Sequence, residues 1–435
     1  MNEREVTVAK HTLQELVRFV RGHSDFYRTL YKYLPDSPDI REIPVLSQDE
    51  FWKANSLFDN RVLTGPMSDG VVFKSGGTTG SPKFSIFSKE EWKIFTQAFG
   101  TGIASGILES SDRVVNLFYV GQLYGSFLFI HKSIEEAPLA VLQLPVGGSS
   151  DYTEARATIR DFRANVLAGV PSSILGLAES IRASGDNPKD YPIKKILFGG
   201  EPFYSDQRER LDSLFPGVLI QSIGYASTDA GLLGFSAKDC APGEHRAFTD
   251  DTLLEILDDV TLEPIEDMNR EGLIVVTDLN RSLMPIIRYP AGDRGLWLEP
   301  QGKAHRKFQL LGRSEEAARI GLIKLYVQDV RDAIEPCRLE LGILDFQLMI
   351  VHRDLLDGLV VRVASSKITS SLPLNVVQSH SKDLIARIHQ ARPLYEEFAK
   401  DRKVNPIEIQ WVALEGLERN SRTGKLRRVI DLRLS

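Results

Sequence analysis

Between residues 113 and 236 the chain repeats one pattern: a short apolar run, a turn containing Gly or Pro, then a helical stretch. The runs begin at RVVNLFYVGQLYGSFLF (113–129) and LAVLQLPVG (139–147) and continue through NVLAGVPSSILGLAESI (165–181), KKILFGGEPF (194–203) and GVLIQSIGYASTDAGLLGFS (217–236). Helices are expected over 152–162 and 205–214. Apolar runs without alternation belong to strands buried on both faces, and strands that alternate with helices make a largely parallel sheet. The pattern therefore predicts an α/β domain. Ligands of such sheets bind outside the carboxyl ends of the strands. By that rule Gly169–Ser173, Gly199–Pro202 and Gly224–Asp229 face one crevice, and so does Ser75–Lys83 further upstream.

That upstream stretch, GVVFKSGGTTGSPKF (70–84), runs from a short apolar strand into Ser75, Gly76, Gly77, Thr78, Thr79, Gly80, Ser81, Pro82 and Lys83. Its glycines admit backbone conformations closed to other residues and allow close approach of a bulky anion. Its hydroxyls line the same turn, which is the chemistry of a phosphate-holding loop. The spacing is not that of the nucleoside-triphosphatase loop, which needs Gly, four residues, then Gly-Lys-Ser/Thr. In 113–129, Phe118, Tyr119 and Tyr124 surround Gly121 and Gly125, a natural wall for an organic substrate.

Elsewhere, helices are expected over 7–35, 48–52 and 89–107, and short antiparallel strands forming a small barrel or sheet over 254–300. Strands at 342–350, 358–364 and 406–413 with a helix at 380–399 predict a compact C-terminal α+β domain of about 120 residues. A chain of 435 residues exceeds one core, so at least two domains are expected. A net charge of -6 offers no broad positive surface to a nucleic acid. Two cysteines, Cys240 and Cys337, exclude a disulfide scaffold. With no signal peptide and no membrane-length apolar run, a soluble cytoplasmic protein without membrane partners is expected.

Five stretches, taken in order, resemble the signature motifs of the adenylate-forming superfamily of acyl-CoA synthetases, peptide-synthetase adenylation domains and luciferases. They are SGGTTGSPK (75–83), GYASTDAG (224–231), YPAGDRG (289–295), LGRSEEAARIGLIKLYVQDV (311–330) and SRTGKLRR (421–428). GHSDFYR (22–28) and AGVPSSILGLAE (168–179) are similar to the phenylacetate-CoA ligase-like branch, which also holds acyl-protein synthetases and stand-alone acyl adenylases of antibiotic pathways. The resemblance implies an N-terminal adenylate-forming domain over 1–312 and a mobile C-terminal domain over 313–435, with Glu315 near the hinge. It implies a phosphate loop from Ser75 to Gly80 with Lys83 as its cation, and Tyr225 and Ala226 beside adenine, with partial contact from Gly200 and Glu201. It places Asp293 at the ribose, Arg313 near ribose or phosphate, Thr228 and Asp229 in the catalytic motif with Asp229 on Mg²⁺, and Lys425 at the reacting carboxylate and α-phosphate once the small domain closes. The sequence departs from the pattern in three places. Gly76 stands where Ser is commoner, Asp229 replaces Glu, and the interdomain segment lacks the common Gly-aromatic-Lys form.

The activity so implied is ATP-dependent conversion of a small carboxylic acid to its acyl-AMP with release of pyrophosphate, then transfer to CoA. Phe118, Tyr119, Tyr124, Pro171, Ser172 and Ile223 predict a flat apolar pocket suited to an aromatic or cyclic acid. A carrier protein, an amine or a reductase is the alternative acceptor, and an inactive ATP-binding scaffold or a homodimer is compatible with the same residues. Cys240, His245 and Cys337 are scattered, without the paired spacing of a metal site.

Overall fold

Complete burial of short apolar runs decides the centre of the fold. The computed structural model describes residues 11–75, 83–121, 123–200, 203, 205–313, 317–338, 340–365, 367, 374–413, 416–418 and 428–433. The chain divides into two compact units, one of Met1–Gly77, Ser81–Gly199 and Leu211–Ser314, the other of Thr78–Gly80, Gly200–Arg210 and Glu315–Ser435.

The chain opens with helices α1 (Leu13–His23), α2 (Asp25–Leu30) and α3 (Gln48–Ala54). Strands β1 (Val71–Ser75) and β2 (Lys83–Phe87) then pair as an antiparallel hairpin, with Ser75 opposite Lys83. The two ends of the glycine-rich stretch are thus held side by side by a strand ladder, and a strand follows it from Lys83. Helix α4 (Lys89–Ala104) follows, started by a capping box in which Ser88 and Glu91 satisfy each other's backbone. Next come β3 (Arg113–Leu117), α5 (Ser126–Glu136), β4 (Leu142–Pro145), α6 (Tyr152–Phe162), β5 (Val166–Gly169), α7 (Pro171–Ser184), β6 (Lys195–Phe198), α8 (Ser205–Asp212) and β7 (Leu219–Ser222). The five strands β4-β3-β5-β6-β7 form the expected parallel sheet in that order. Val114, Val115, Val166, Leu167, Ala168 and Ile196 at its centre are wholly buried. Helix α5 begins inside the 113–129 run and continues over residues to which the sequence reading assigns no element. Its N-cap, Gly125, offers no side-chain bond, so no capping signal marks its start.

The chain leaves the parallel sheet at Gly224, whose φ is 134° and where a side chain would lie 2.8 Å from the Phe99 ring. Only glycine fits such a bend. Beyond it, β8 (Tyr225–Ser227), β9 (Gly231–Phe235), β10 (Glu244–Ala247), β11 (Thr252–Leu257), β12 (Glu271–Asp278), β13 (Tyr289–Trp297) and β14 (Lys307–Arg313) form one sheet in the order β11-β12-β13-β14-β10-β9-β8. Its pairings are antiparallel. The antiparallel part expected over 254–300 is therefore larger than the sequence suggests, because it recruits strands on both flanks. Leu16, Val17, Val20, Tyr27 and Phe51 from the opening helices bury against it.

The second unit contains the hairpin β15 (Ala317–Ile320) and β16 (Ile323–Tyr326), then α9 (Val327–Ile334), β17 (Ile343–Arg353), β18 (Leu356–Ser365), α10 (Leu374–Ala391), α11 (Pro393–Lys400), β19 (Glu408–Val412) and β20 (Val429–Asp431). Its four-stranded sheet has the order β19-β18-β17-β20. Leu348, Val361, Val363, Ile388 and Tyr395 make its core. The single helix expected over 380–399 is two, since Pro393 supplies no backbone N–H and pushes Arg392 out of helical geometry. A large α/β unit with a smaller α+β unit is the fold class. Among the described residues, no helix is long and apolar enough to cross a membrane.

Candidate active site

Parallel register places Leu117, Gly169, Phe198 and Ser222 at one edge of the parallel sheet, its carboxyl edge. The residues that follow them gather there. Phe118 and Ile223 share one buried cluster, and a side chain at Gly199 would touch both. The Tyr119 hydroxyl and Ser173 Oγ lie 2.9 Å apart, and Pro171 opens α7 at its first position. Tyr124 instead sits two-fifths exposed on a tight turn closed by Gly121. Of Ser172 only the backbone is described.

Lys83, at the exit of the glycine-rich stretch, holds its ammonium 4.0 Å from Asp229 Oδ2. It lies 5.2 Å over the Trp52 ring and 3.5 Å from Gln48 Oε1. Neither Trp52 nor Gln48 was singled out from sequence. Gly76, Gly77, Thr78, Thr79, Gly80, Glu201, Glu315 and Lys425 lie outside the described residues, and only the backbones of Ser75 and Arg313 are described.

Asp229 and the half-buried Thr228 occupy the turn between β8 and β9. Ser227 Oγ accepts from Ala230 N at 2.8 Å, and the Arg281 guanidinium donates to the Asp229 carbonyl at 3.1 Å. Arg281 is almost wholly buried, lies 4.2 Å over the Phe87 ring and donates to the Ile86 carbonyl. Glu91 Oε1 accepts from both Ser282 N and Leu283 N at 2.6 Å, which fixes the segment that carries Arg281. Burial pushes the carboxyl of nearby Asp278 up to about 6. Arg281 carries no sequence signal, since a lone Arg in a polar turn reads as solvent-exposed.

Tyr225, the first residue of β8, donates from its hydroxyl to Asp293 Oδ2 at 2.5 Å. Asp293 is in β13, paired with Arg313 of β14. Two residues assigned from separate motifs are therefore joined directly. The Tyr225 ring also lies 5.8 Å from His245 and 6.3 Å from Phe308. Ala226 lies within β8, and Gly200, two residues beyond the end of β6, has a φ of 81°.

His245 is buried, with Nε2 3.2 Å from Ser222 Oγ. Burial lowers its pKa to about 4. Between pH 4 and 6.5 the unfolded chain then binds a proton at this residue that the folded one does not. The neutral ring thus contributes stability that is fully present above pH 6.5 and is lost as pH falls to 4. Asp278 acts oppositely, taking up its proton first in the folded state as pH falls through about 6, so the comparison must be with a variant. Between pH 7 and pH 5, wild type is expected to lose roughly 2 kcal/mol more stability than His245→Gln, measured by urea unfolding. Among the described residues no group of three or more His, Cys, Asp or Glu is placed to hold a metal ion.

No family model matches the chain. It is 26% identical over 443 residues to a phenylacetate-coenzyme A ligase of Thermus thermophilus, covering 97% of this chain and 95% of the relative. It is 27% identical over 259 residues to an indoleacetate–lysine synthetase of Pseudomonas savastanoi, covering 58% of each chain. A crystal structure of 2-hydroxyisobutyryl-CoA ligase in complex with 2-HIB-AMP and CoA has the same fold, with a TM-score of 0.68 at 18% identity over 97% of this chain and 88% of that one. Over nearly its whole length the chain is therefore similar in sequence to a phenylacetate-coenzyme A ligase, it has the fold of a solved acyl-CoA ligase, and its motifs stand in the order that resembles the phenylacetate-CoA ligase-like branch of the adenylate-forming superfamily.

Proposed function

We propose that the protein activates a small aromatic or cyclic carboxylic acid as its acyl-AMP and passes the acyl group to CoA. One observation carries this reading. A cation (Lys83) and a carboxylate (Asp229) stand 4.0 Å apart at the exit of the glycine-rich stretch, in the same unit as the bonded Tyr225–Asp293 pair.

In the reaction a carboxylate oxygen bonds to the α-phosphorus of ATP, the bond from that phosphorus to the β-bridging oxygen breaks, and pyrophosphate leaves. The approach of an anion to a polyanion demands neutralisation and alignment. Lys83 and the hydroxyls of Ser75, Thr78 and Thr79 would hold the departing phosphates, with the loop's backbone amides. Asp293 can accept from ribose hydroxyls while Tyr225 fixes its other side and presents its ring to adenine. Arg313 would add a forked donor near ribose or phosphate. Lys425 would place a point charge on the transferring group.

Asp229 fits Mg²⁺: its side chain is one-fifth exposed, and this cation takes one or two carboxylates with phosphate oxygens and water. Bound there, Mg²⁺ would neutralise phosphate charge. In the second half-reaction the CoA sulfur bonds to the acyl carbon, the carbon–oxygen bond to AMP breaks, and the thiol proton is released. Phe118, Tyr119, Pro171 and Ile223 at the sheet edge favour a flat acid.

CoA as acceptor draws support from the similarity to the Thermus phenylacetate-coenzyme A ligase, and an amine acceptor from the similarity to the Pseudomonas savastanoi indoleacetate–lysine synthetase. Incubation with ATP and a panel of acids, followed by CoA or lysine, tests the reading. An arylacetate or benzoate is expected to give the highest pyrophosphate exchange and then a CoA thioester. Dominance of a long-chain fatty acid would overturn the acid class, and an amide in place of the thioester would overturn CoA.

A further inference from the structure

Helix α3 lies in a stretch whose sequence carries no chemical signal, yet its side chains reach the cation at the exit of the glycine-rich stretch. Gln48 and Trp52 are four residues apart on this helix and therefore share one face. Each has a fixed end and an end at Lys83. Gln48 Nε2 donates to the Pro290 carbonyl at 2.7 Å, while its Oε1 is 3.5 Å from Lys83 Nζ. Trp52 Nε1 donates to the Tyr289 hydroxyl at 3.0 Å, while its ring lies 5.2 Å under the same ammonium.

The fixed ends are rigid. Tyr289 is 1% exposed, Phe51 of α3 is wholly buried, and Leu46 N donates to the Arg288 carbonyl at 2.9 Å just before the helix. A lysine on a four-carbon stem is otherwise a mobile point charge. An aromatic face on one side and an amide oxygen on another restrict its ammonium to an arc that includes Asp229. Tyr289 and Pro290 also begin β13, the strand that carries Asp293. The same helix therefore references the phosphate-side cation and the ribose-side strand to each other.

We infer that Gln48 and Trp52 are positioning residues for Lys83, holding its ammonium where the pyrophosphate portion of ATP binds. The inference rests on the activation reading above. A purely structural tryptophan would need only an apolar surround, whereas this one is partly exposed and faces a cation.

The test is calorimetric binding of inorganic pyrophosphate and of Mg·ATP to the full-length protein. The variants are Trp52→Leu, Trp52→Phe, Gln48→Ala, Lys83→Met and the double variant Trp52→Leu/Lys83→Met. Trp52→Leu is expected to weaken pyrophosphate binding about fivefold, the scale of one cation–π contact, and Trp52→Phe, which keeps a π face, to recover most of that loss. Gln48→Ala, at a partly exposed position, is expected to weaken binding in the same direction. In the Lys83→Met background Trp52→Leu is expected to add nothing, because the ammonium it positions is gone. Additive losses, or wild-type affinity in both Trp52→Leu and Gln48→Ala, would overturn the inference and leave the activation reading intact. A wild-type protein that binds neither Mg·ATP nor pyrophosphate would overturn that reading and this inference with it.

Discussion

Replacing Lys425 by Ala is expected to lower carboxylate-dependent ATP–pyrophosphate exchange by at least a hundredfold while changing ATP affinity only a few-fold. The transition state gathers charge on the α-phosphoryl group as the carboxylate arrives and pyrophosphate departs. A donor aimed at that charge acts mainly in the transition state, so its loss appears in the rate and little in binding. Lys83 is assigned the contrasting role, a cation for the terminal phosphates that matters already in the bound nucleotide. Exchange kinetics and equilibrium binding on the same preparations separate the two. Exchange in Lys425→Ala equal to wild type would remove Lys425 from the chemistry, and an equally severe loss of ATP binding would make it a nucleotide-binding residue.

The second large effect is on stability. Arg288 and Glu255 form a buried two-pronged pair, Nε to Oε2 at 3.1 Å and Nη2 to Oε1 at 3.0 Å, with side chains 4% and 9% exposed. Arg288 Nη1 also donates to the Ile43 carbonyl, and the Arg288 N–H donates to Thr277 Oγ1. The pair thereby ties the chain before α3 to the antiparallel sheet. Burial pushes the Glu255 carboxyl up from its ordinary value, against the pull of Arg288. Arg288→Met would strand that carboxyl in the core, and the expected loss is about 3–5 kcal/mol, read as the shift in urea midpoint at constant slope. Arg288→Met/Glu255→Leu is expected to recover much of the loss, because no buried charge is then left unpaired. If the double variant is as unstable as the sum of the singles, the pair is not what the single variant breaks.

The parallel sheet was legible because each strand is an apolar run too short for a helix and ends in Gly or Pro. Residues 152–162 were legible because Asp151 supplies a cap before a periodic stretch. The change of sheet at Gly224 was not legible. Strands β7 and β8 are separated by two residues, Ile223 and Gly224, and nothing in their period tells which sheet each joins. Helix α5 lacks a side-chain cap and sits in apolar sequence that serves strand or helix equally. Of the candidate site residues, Tyr225, Asp229, Asp293 and Lys83 stand in short motifs that the sequence displays. Trp52, Gln48 and Arg281 act through partners far away in sequence, as with Trp52 and Tyr289, and side chains of that kind leave no local trace.

The proposed activity rests on transfer of a carboxylate oxygen to the α-phosphorus. That transfer is read directly by supplying an acid labelled with heavy oxygen in its carboxylate, with Mg·ATP and an acceptor, and weighing the nucleotide product. The predicted product is AMP carrying one labelled oxygen, with unlabelled pyrophosphate. Unlabelled AMP, or ADP with the label in inorganic phosphate, would contradict adenylation.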